Sequence, residues 1–259
     1  MKRYQWNAQD YEKHSQAQQK WARELLDKLS LLGTEDVLDI GCGDGKATAE
    51  ISSLVSKGTI VGIDNSSSMI ALASKRYPPK NYPNLSFQEM DAGNLLFHEC
   101  FDLIFSNAAL HWMLQPDLVL SKVRQSLRMD GFFTAEFGGA GNVAAITSAL
   151  TKILPTYDRK FEICNPWYFP TAEEYTDKLV KHNFEVQSIK LIPRPTKITG
   201  TIINWLENFA VSFVQDLDFP KRHEIFTAVR DEIEEDLCDN TGSWHVDYVR
   251  LRFRAIKKN

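Results

Sequence analysis

The chain has 259 residues, a formal net charge of −4 and an isoelectric point near 5.9, a balance that excludes nucleic acid as a bulk electrostatic partner. With 43% apolar and 25% charged residues it can fill the core of one large α/β domain. Cys42, Cys100, Cys164 and Cys238 lie too far apart for a disulfide frame or a zinc site, and there is neither an apolar run of about eighteen residues to span a bilayer nor a signal-peptide core at the start. A cytoplasmic protein with no metal, membrane or nucleic-acid partner is expected.

Trp21, Leu25, Leu29 and Leu32 form an amphipathic stripe that predicts a helix stopping at Gly33. From about 36 to 137, short β-rich runs alternate with helical spacing, the pattern of βαβ units and a parallel sheet. Strands are predicted at 37–40, 59–63, 85–90, 101–106 and 131–137. Ala47, Ile51, Leu54 and Val55 mark one intervening helix, and Met69, Ile70 and Ala73 the next. A sixth strand is predicted at 184–192 and a seventh at 245–256, whose imperfect, charged alternation predicts a bulge or an edge position. Between these two lies a helical insertion, roughly 196–240. Ile202, Trp205 or Leu206, Phe209 and Phe213 share one of its faces, Phe226, Val229 and Ile233 another, and a break is expected near Pro220.

The strongest local signal is Val37-Leu38-Asp39-Ile40-Gly41-Cys42-Gly43-Asp44-Gly45, a buried strand that ends in alternating glycines and opens into a helix near Lys46. Glycines there let the chain turn sharply while a ligand approaches its backbone. Lys46 stands where a G-x-G-x-x-G fingerprint needs its third glycine. Asp39, two residues before the first glycine, would oppose a pyrophosphate, yet it suits the ammonium of the methionine end of S-adenosylmethionine, directly or through water. Asp64, followed by Asn65, closes the next strand about twenty residues on, where a carboxylate accepts both ribose hydroxyls of an adenosine. A dinucleotide uses the same device. Asp91 closes the third strand, placed to accept from the adenine amine, while Ala92 offers a backbone N–H to the ring and Met69 packs on its face. Any one of these alone reads as an ordinary strand-end turn; their order on successive strands is what carries the assignment.

These residues resemble the class I S-adenosylmethionine-dependent methyltransferases, over roughly 35–137. The opening Trp6-Asn7-Ala8-Gln9-Asp10-Tyr11, the block Phe105-Ser106-Asn107-Ala108-Ala109-Leu110-His111-Trp112 and the insertion are similar to the trans-aconitate methyltransferase-like group. The segment with Tyr11 and Gln18 looks like the lid of the malonyl carrier-protein methyl ester synthases, which closes over the methionine end of the cofactor. The resemblance implies an α/β, Rossmann-like seven-stranded mixed sheet with the last strand antiparallel, helices on both faces and a helical cap insertion. It divides the chain into an N-terminal lid and helix (1–33), a cofactor-binding core (34–195 and 241–259) and the cap (196–240).

It further implies S-adenosylmethionine as cofactor, held by Tyr11, Gln18, Asp39, Gly41, Cys42, Gly43, Asp64, Asn65, Met69, Asp91, Ala92, Asn107 and Ala108. A small molecule would be the acceptor, a carboxylic acid or an acyl-carrier thioester, with His111 as general base or as a donor that orients it. A carboxylate is already ionised at neutral pH, so an in-line displacement on it needs no base, whereas a phenol or amine does. Trp112, Trp167 of the cluster Asn165-Pro166-Trp167-Tyr168-Phe169-Pro170, and Arg194 between Pro193 and Pro195 are the expected acceptor contacts. Arg194 would fork onto a substrate carboxylate. Two other classes stay open: a nicotinamide-dependent oxidoreductase using the same glycine turn and Asp64, and a non-catalytic binding protein on the same scaffold.

Overall fold

The computed structural model describes residues 16–259, with side chains from Trp21 onward. Tyr11 lies outside the described residues; Gln18 falls in the first helix, and its side chain lies outside them too. The elements in order are α1 (Gln16–Leu26), β1 (Asp36–Ile40), α2 (Lys46–Leu54), β2 (Thr59–Asp64), α3 (Ser67–Arg76), β3 (Leu85–Glu89), β4 (Phe101–Asn107), α4 (Pro116–Ser126), β5 (Leu127–Gly138), α5 (Ala144–Ile153), α6 (Phe161–Cys164), α7 (Ala172–Lys181), β6 (Phe184–Lys197), α8 (Ile202–Phe209), α9 (Phe219–Leu237) and β7 (His245–Lys257). The strands form one seven-stranded sheet in the order β3-β2-β1-β4-β5-β7-β6. β1 to β5 pair in parallel, and β7 runs antiparallel to both β5 and β6.

Side chains alternate across the sheet as a two-residue period requires. Val37, Leu103 and Phe105 join Leu25, Leu26 and Ile51 of α1 and α2 on one face. Leu38, Ile104 and Phe133 join Leu120, Val123 and Leu179 of α4 and α7 on the other. The sheet is therefore covered on both sides, which is why β1 after its first residue, Asp36, reads as an apolar run apart from Asp39.

Two expectations change. First, α1 stops at Leu26 rather than at Gly33, and Leu32 is exposed. Past Leu26 the N–H groups of Lys28 and Leu29 bond three residues back, to Leu25 and Leu26, which tightens and ends the helix, and the carboxylate of Glu35 accepts from the backbone N–H groups of Leu32 and Gly33, at 2.5 and 2.8 Å, where the chain turns into β1. Second, β7 is not an edge; β6 is, and the bulge lies in β6 between Val186 and Ser188. Charges survive on an interior strand because Glu136 of β5 pairs with Arg252 and Arg194, while Lys257 donates to Glu99 and to the Leu127 carbonyl. The edge position of β6 also explains how Pro193 and Pro195 sit inside a strand, since a proline there costs no ladder bond on the solvent side.

The helices of 196–240 do not pack alone at their end of the sheet. The chain leaves β5 and β6 and re-enters β7 at the same end of the sheet, so two stretches meet there. Val143, Ile146 and Leu150 of the first pack with Ile202, Leu206, Phe226, Val229 and Ile233 of the second. Thr201 and Asp218 cap α8 and α9, each accepting a backbone N–H with its side chain, and Pro220 occupies the first turn of α9, where its missing N–H is no loss.

Candidate active site

The strand order reverses between β1 and β4, which opens a crevice at the carboxyl ends of the parallel strands, the usual ligand position in such sheets. A cavity of about 820 Å³ lies there, floored by the strand ends and roofed by the helical layer. At its floor, Gly41 and Cys42 donate their backbone N–H groups to the Ile63 carbonyl, at 2.8 and 2.9 Å, tying the end of β1 to β2. Gly41 has φ +74°, and a Cβ on it would meet the Ala109 Cβ at 2.2 Å. Gly43, at φ +52°, faces open space and donates its N–H to Asp64 Oδ2 at 3.0 Å. That cradle is one a side chain would fill.

Asp64 Oδ1 accepts from the Ser66 N–H at 2.9 Å. An ionised carboxylate accepts about four hydrogen bonds, and the backbone N–H groups of Gly43, Ser66 and Asn65 use only part of that capacity, leaving room for a ligand hydroxyl. Burial pushes its pKa up, opposed by these N–H groups. Asn65, Met69, Asp91, Ala92, Asn107 and Ala108 line the same cavity. Met69 is fixed in the first turn of α3, where its N–H donates to the Ser66 hydroxyl; Asp91 Oδ1 takes the Gly93 N–H at 2.8 Å. These donors and acceptors fit an amino acid, a sugar and a base laid along β1, β2 and β3. Two strained residues border the same space: Ala108 and the β-branched Val143 have φ of +56° and +49°.

Asp39 and Cys42 are not in the wall. Asp39 shares the face of Val37 and Phe105, beneath the turn, where its Oδ2 accepts from the Thr48 hydroxyl at 2.7 Å. Burial, with Asp64's charge adding to it and the Thr48 hydroxyl opposing, raises its pKa to about 7. The Cys42 thiol is likewise buried, and burial pushes it well above its ordinary range.

Beyond Asn107 the wall belongs to His111 and aromatic rings. His111 sits in a single 3-10 turn, Leu110–Trp112. Its Nδ1 accepts from the Gly138 N–H at 3.3 Å, which assigns the ring proton to Nε2. Burial, reinforced by the positive charge of Arg250, holds its pKa well below 6.5. The proline-bounded cluster supplies Trp167, stacked on Phe169 at 5.7 Å and edge-on to Trp112 at 6.1 Å. Trp112 and Trp167 both line the cavity.

Arg194 does not. It pairs with Glu24 at 2.7 Å and Glu136 at 3.1 Å, and so joins α1 to the sheet instead of facing a substrate. The cation that lines the cavity from the sheet is Arg250 of β7, its guanidinium 4.5 Å from the Trp21 ring centroid and 4.8 Å from that of Tyr248. The sequence held a signal for it: Arg250 continues the inward register of Val246 and Tyr248, where an apolar residue is due. Arg159, also in the wall, is held by Asp216 and by the Phe213 carbonyl.

A methyltransferase domain family matches residues 33–148. An uncharacterized methyltransferase of Schizosaccharomyces pombe is 33% identical over 98% of both chains. The malonyl-[acyl-carrier protein] O-methyltransferase of Bacillus cereus is 34% identical over 50% of this chain and 49% of its own. The trans-aconitate 2-methyltransferase of Deinococcus radiodurans is 31% identical over 51% and 48%. This chain thus spans about half the length of those two. Among solved structures, phosphoethanolamine N-methyltransferase 2 of Haemonchus contortus in complex with S-adenosyl-L-methionine superposes with a TM-score of 0.60 at 16% identity, over 93% of this chain and 53% of that one. The nicotinamide reading that the glycine turn and Asp64 left open is thereby set aside. A glycine cradle and two strand-end acids bordering one cavity, together with a relative matched over 98% of both chains, place this chain in the class I S-adenosylmethionine-dependent methyltransferases.

Proposed function

We propose that this enzyme methylates an oxygen of a small-molecule carboxylate, presented as a free acid or as an acyl-carrier thioester. The observation that carries the reading is the state of His111: neutral, with its Nδ1 lone pair engaged by the Gly138 N–H. A group in that state does not take a proton from a phenol or an ammonium near neutral pH, so the acceptor has to arrive ionised. The other acids of the wall serve elsewhere: Asp64 and Asp91 lie along the cofactor's half, and Asp216 is paired with Arg159. Bound along Asp64 and Asp91, S-adenosylmethionine would supply a methyl group on a sulfonium, which an ionised carboxylate would accept without releasing a proton.

What the chain contributes is position. Holding donor and acceptor in line supplies roughly 7–11 kcal/mol of the barrier without any titrating group. The Nε2–H of His111 is a donor to the acceptor oxygen not being methylated. On the same reading, 196–240 covers the acceptor. Two relatives named for malonyl-[acyl-carrier protein] and trans-aconitate, both carboxylates, agree with this.

The test is methyl transfer from labelled cofactor to panels of carboxylic acids, phenols and amines, with kcat/KM followed from pH 6 to 9. A carboxylate acceptor gives a profile without a basic limb, and His111→Gln keeps turnover within about tenfold because only a hydrogen bond is altered. Turnover confined to phenols or amines, with a limb that vanishes in His111→Gln, would overturn the reading.

A further inference from the structure

β5 ends at Gly138, and the residues after it are tied to β7 by one bond of each kind. The Gly139 N–H donates to the Val249 carbonyl at 3.0 Å. The Val249 N–H donates in turn to Asn142 Oδ1, also at 3.0 Å, so a side chain supplies the next rung of the ladder. The backbone bends to bring it there. Asn142 donates its own N–H to the Gly139 carbonyl at 2.9 Å, and the buried, β-branched Val143 that follows has φ +49°. Strain of this kind persists where the surroundings over-determine it, and it gathers at ligand sites.

The rung fixes which way the amide faces. With Oδ1 on Val249, the NH2 end lies beside Gly138, where a Cβ would come within 3.0 Å of Nδ2. Asn142 is 5% exposed and borders the cavity. Among the described residues its Nδ2 has no hydrogen-bond partner, and the atom is not sealed from solvent. A buried NH2 in that state gains from any ligand oxygen that accepts from it. A second donor stands at the same glycine. The Gly138 N–H occupies His111 Nδ1, so His111 presents its Nε2–H, and the Phe169 ring that abuts Gly138 lies 5.9 Å from the imidazole. Other polar side chains of this wall are placed differently: Gln115 and Gln215 are exposed, Ser212 is half-buried, and the half-buried Asn165 accepts from the Trp167 N–H.

We propose that Asn142 is an acceptor-binding residue, its Nδ2–H donating together with the Nε2–H of His111 to one oxygen of the acceptor carboxylate and leaving the other oxygen free to take the methyl group. The proposal rests on the carboxylate reading above and deepens it. A carboxylate oxygen has two lone pairs, so one oxygen accommodates both donors. Two donors from separate segments fix the plane of the group, where one alone lets it swing, and an in-line displacement depends on that alignment. Uncharged donors also suit the reaction. Methyl transfer from a sulfonium to a carboxylate cancels both charges, so a cation paired with the acceptor stabilises the starting state more than the transition state, and an amide with a neutral imidazole does so less. The pair orients one carboxylate and sets no limit on the body attached to it.

Asn142→Asp separates this role from a structural one. It keeps an oxygen for the Val249 N–H but replaces the donor with a second acceptor of the same charge as the substrate. The buried Asp39 titrates near 7, so assays at pH 8.5 keep the introduced carboxyl ionised. The full-length enzyme is assayed with acetate, hexanoate, phenylacetate, trans-aconitate and malonyl-coenzyme A, beside the phenols and amines. For the best acid, Asn142→Asp and Asn142→Ala are each expected to lower kcat/KM by about 10- to 100-fold, with Asn142→Asp the lower of the two. The loss should appear in KM and kcat together, with S-adenosylhomocysteine affinity by calorimetry unchanged. A residue that only completes the ladder predicts the reverse order, Asn142→Asp near native and Asn142→Ala impaired. That order, or a folded Asn142→Asp within about threefold of native, overturns the proposal while the carboxylate reading stands. Should Asn142→Asp fail to fold, Asn142→Ala decides: lost kcat/KM with cofactor affinity retained supports the proposal, and unchanged kcat/KM overturns it. Turnover confined to phenols or amines, or no acid turned over at all, removes the carboxylate reading and this proposal together.

Discussion

Asp39→Asn isolates the energetics of the acid beneath the glycine turn. The carboxyl is fully buried, its one described partner is the Thr48 hydroxyl, and burial raises its pKa from an ordinary 3.8 to about 7. The folded protein therefore binds a proton here more tightly than the unfolded chain does. Stability from this group is complete below pH 3.8, falls as pH rises, and is lost once pH passes about 7. That interval corresponds to roughly 4 kcal/mol, as an order of magnitude, with a slope near 1.4 kcal/mol per pH unit. Asparagine keeps the shape and an acceptor for Thr48 but cannot ionise. The difference in unfolding free energy, variant minus native, is thus expected to climb between pH 4 and 8. Urea denaturation of both proteins at each pH measures it. Asp117, Asp216 and Asp239, whose pKa values their partners hold low, titrate alike in both proteins and cancel. A constant amide offset of about 1–3 kcal/mol, from the extra N–H donors, shifts the curve without changing its shape. A flat difference curve over that range would refute the buried, proton-holding state of Asp39.

Two further outcomes follow from the geometry. Gly41→Ala forces a Cβ to within 2.2 Å of the Ala109 Cβ at a φ of +74°, so S-adenosylhomocysteine binding by calorimetry should be lost and the protein destabilised by about 1–3 kcal/mol; unchanged affinity would mean that the turn does not approach the ligand. Glu136→Gln removes the carboxylate shared by Arg194 and Arg252, and a loss of about 3–5 kcal/mol in chemical denaturation is expected from the buried guanidinium groups left behind. A cost under about 1 kcal/mol would show that Glu24 alone compensates them.

Much of this protein was written locally. A parallel sheet announces itself because strands covered on both faces need short, mainly apolar runs, and Val37 to Ile40, broken only by Asp39, or Ile60 to Ile63 have no other economical use. Gly41 and Gly43, Asp64 and Asp91 were legible for a related reason: each lies at a strand end, where chain order alone assigns it to the carboxyl edge. Tertiary structure decided whatever depends on side-chain direction or on distant partners. Asp39 turned out to lie under the turn because its position in the strand directs it to the α2 face, toward Thr48. Arg194 and Arg250 are alike in sequence, both on strands and both next to bulky residues. The carboxylates of Glu24, more than 160 residues away, and Glu136 engage the first, and the packing of Trp21 and Tyr248 sets the second against the cavity. A residue's chemistry is carried by its own atoms, whereas its role is set by which opposite charge or ring the folded chain brings within a few ångströms, and sequence spacing does not encode that.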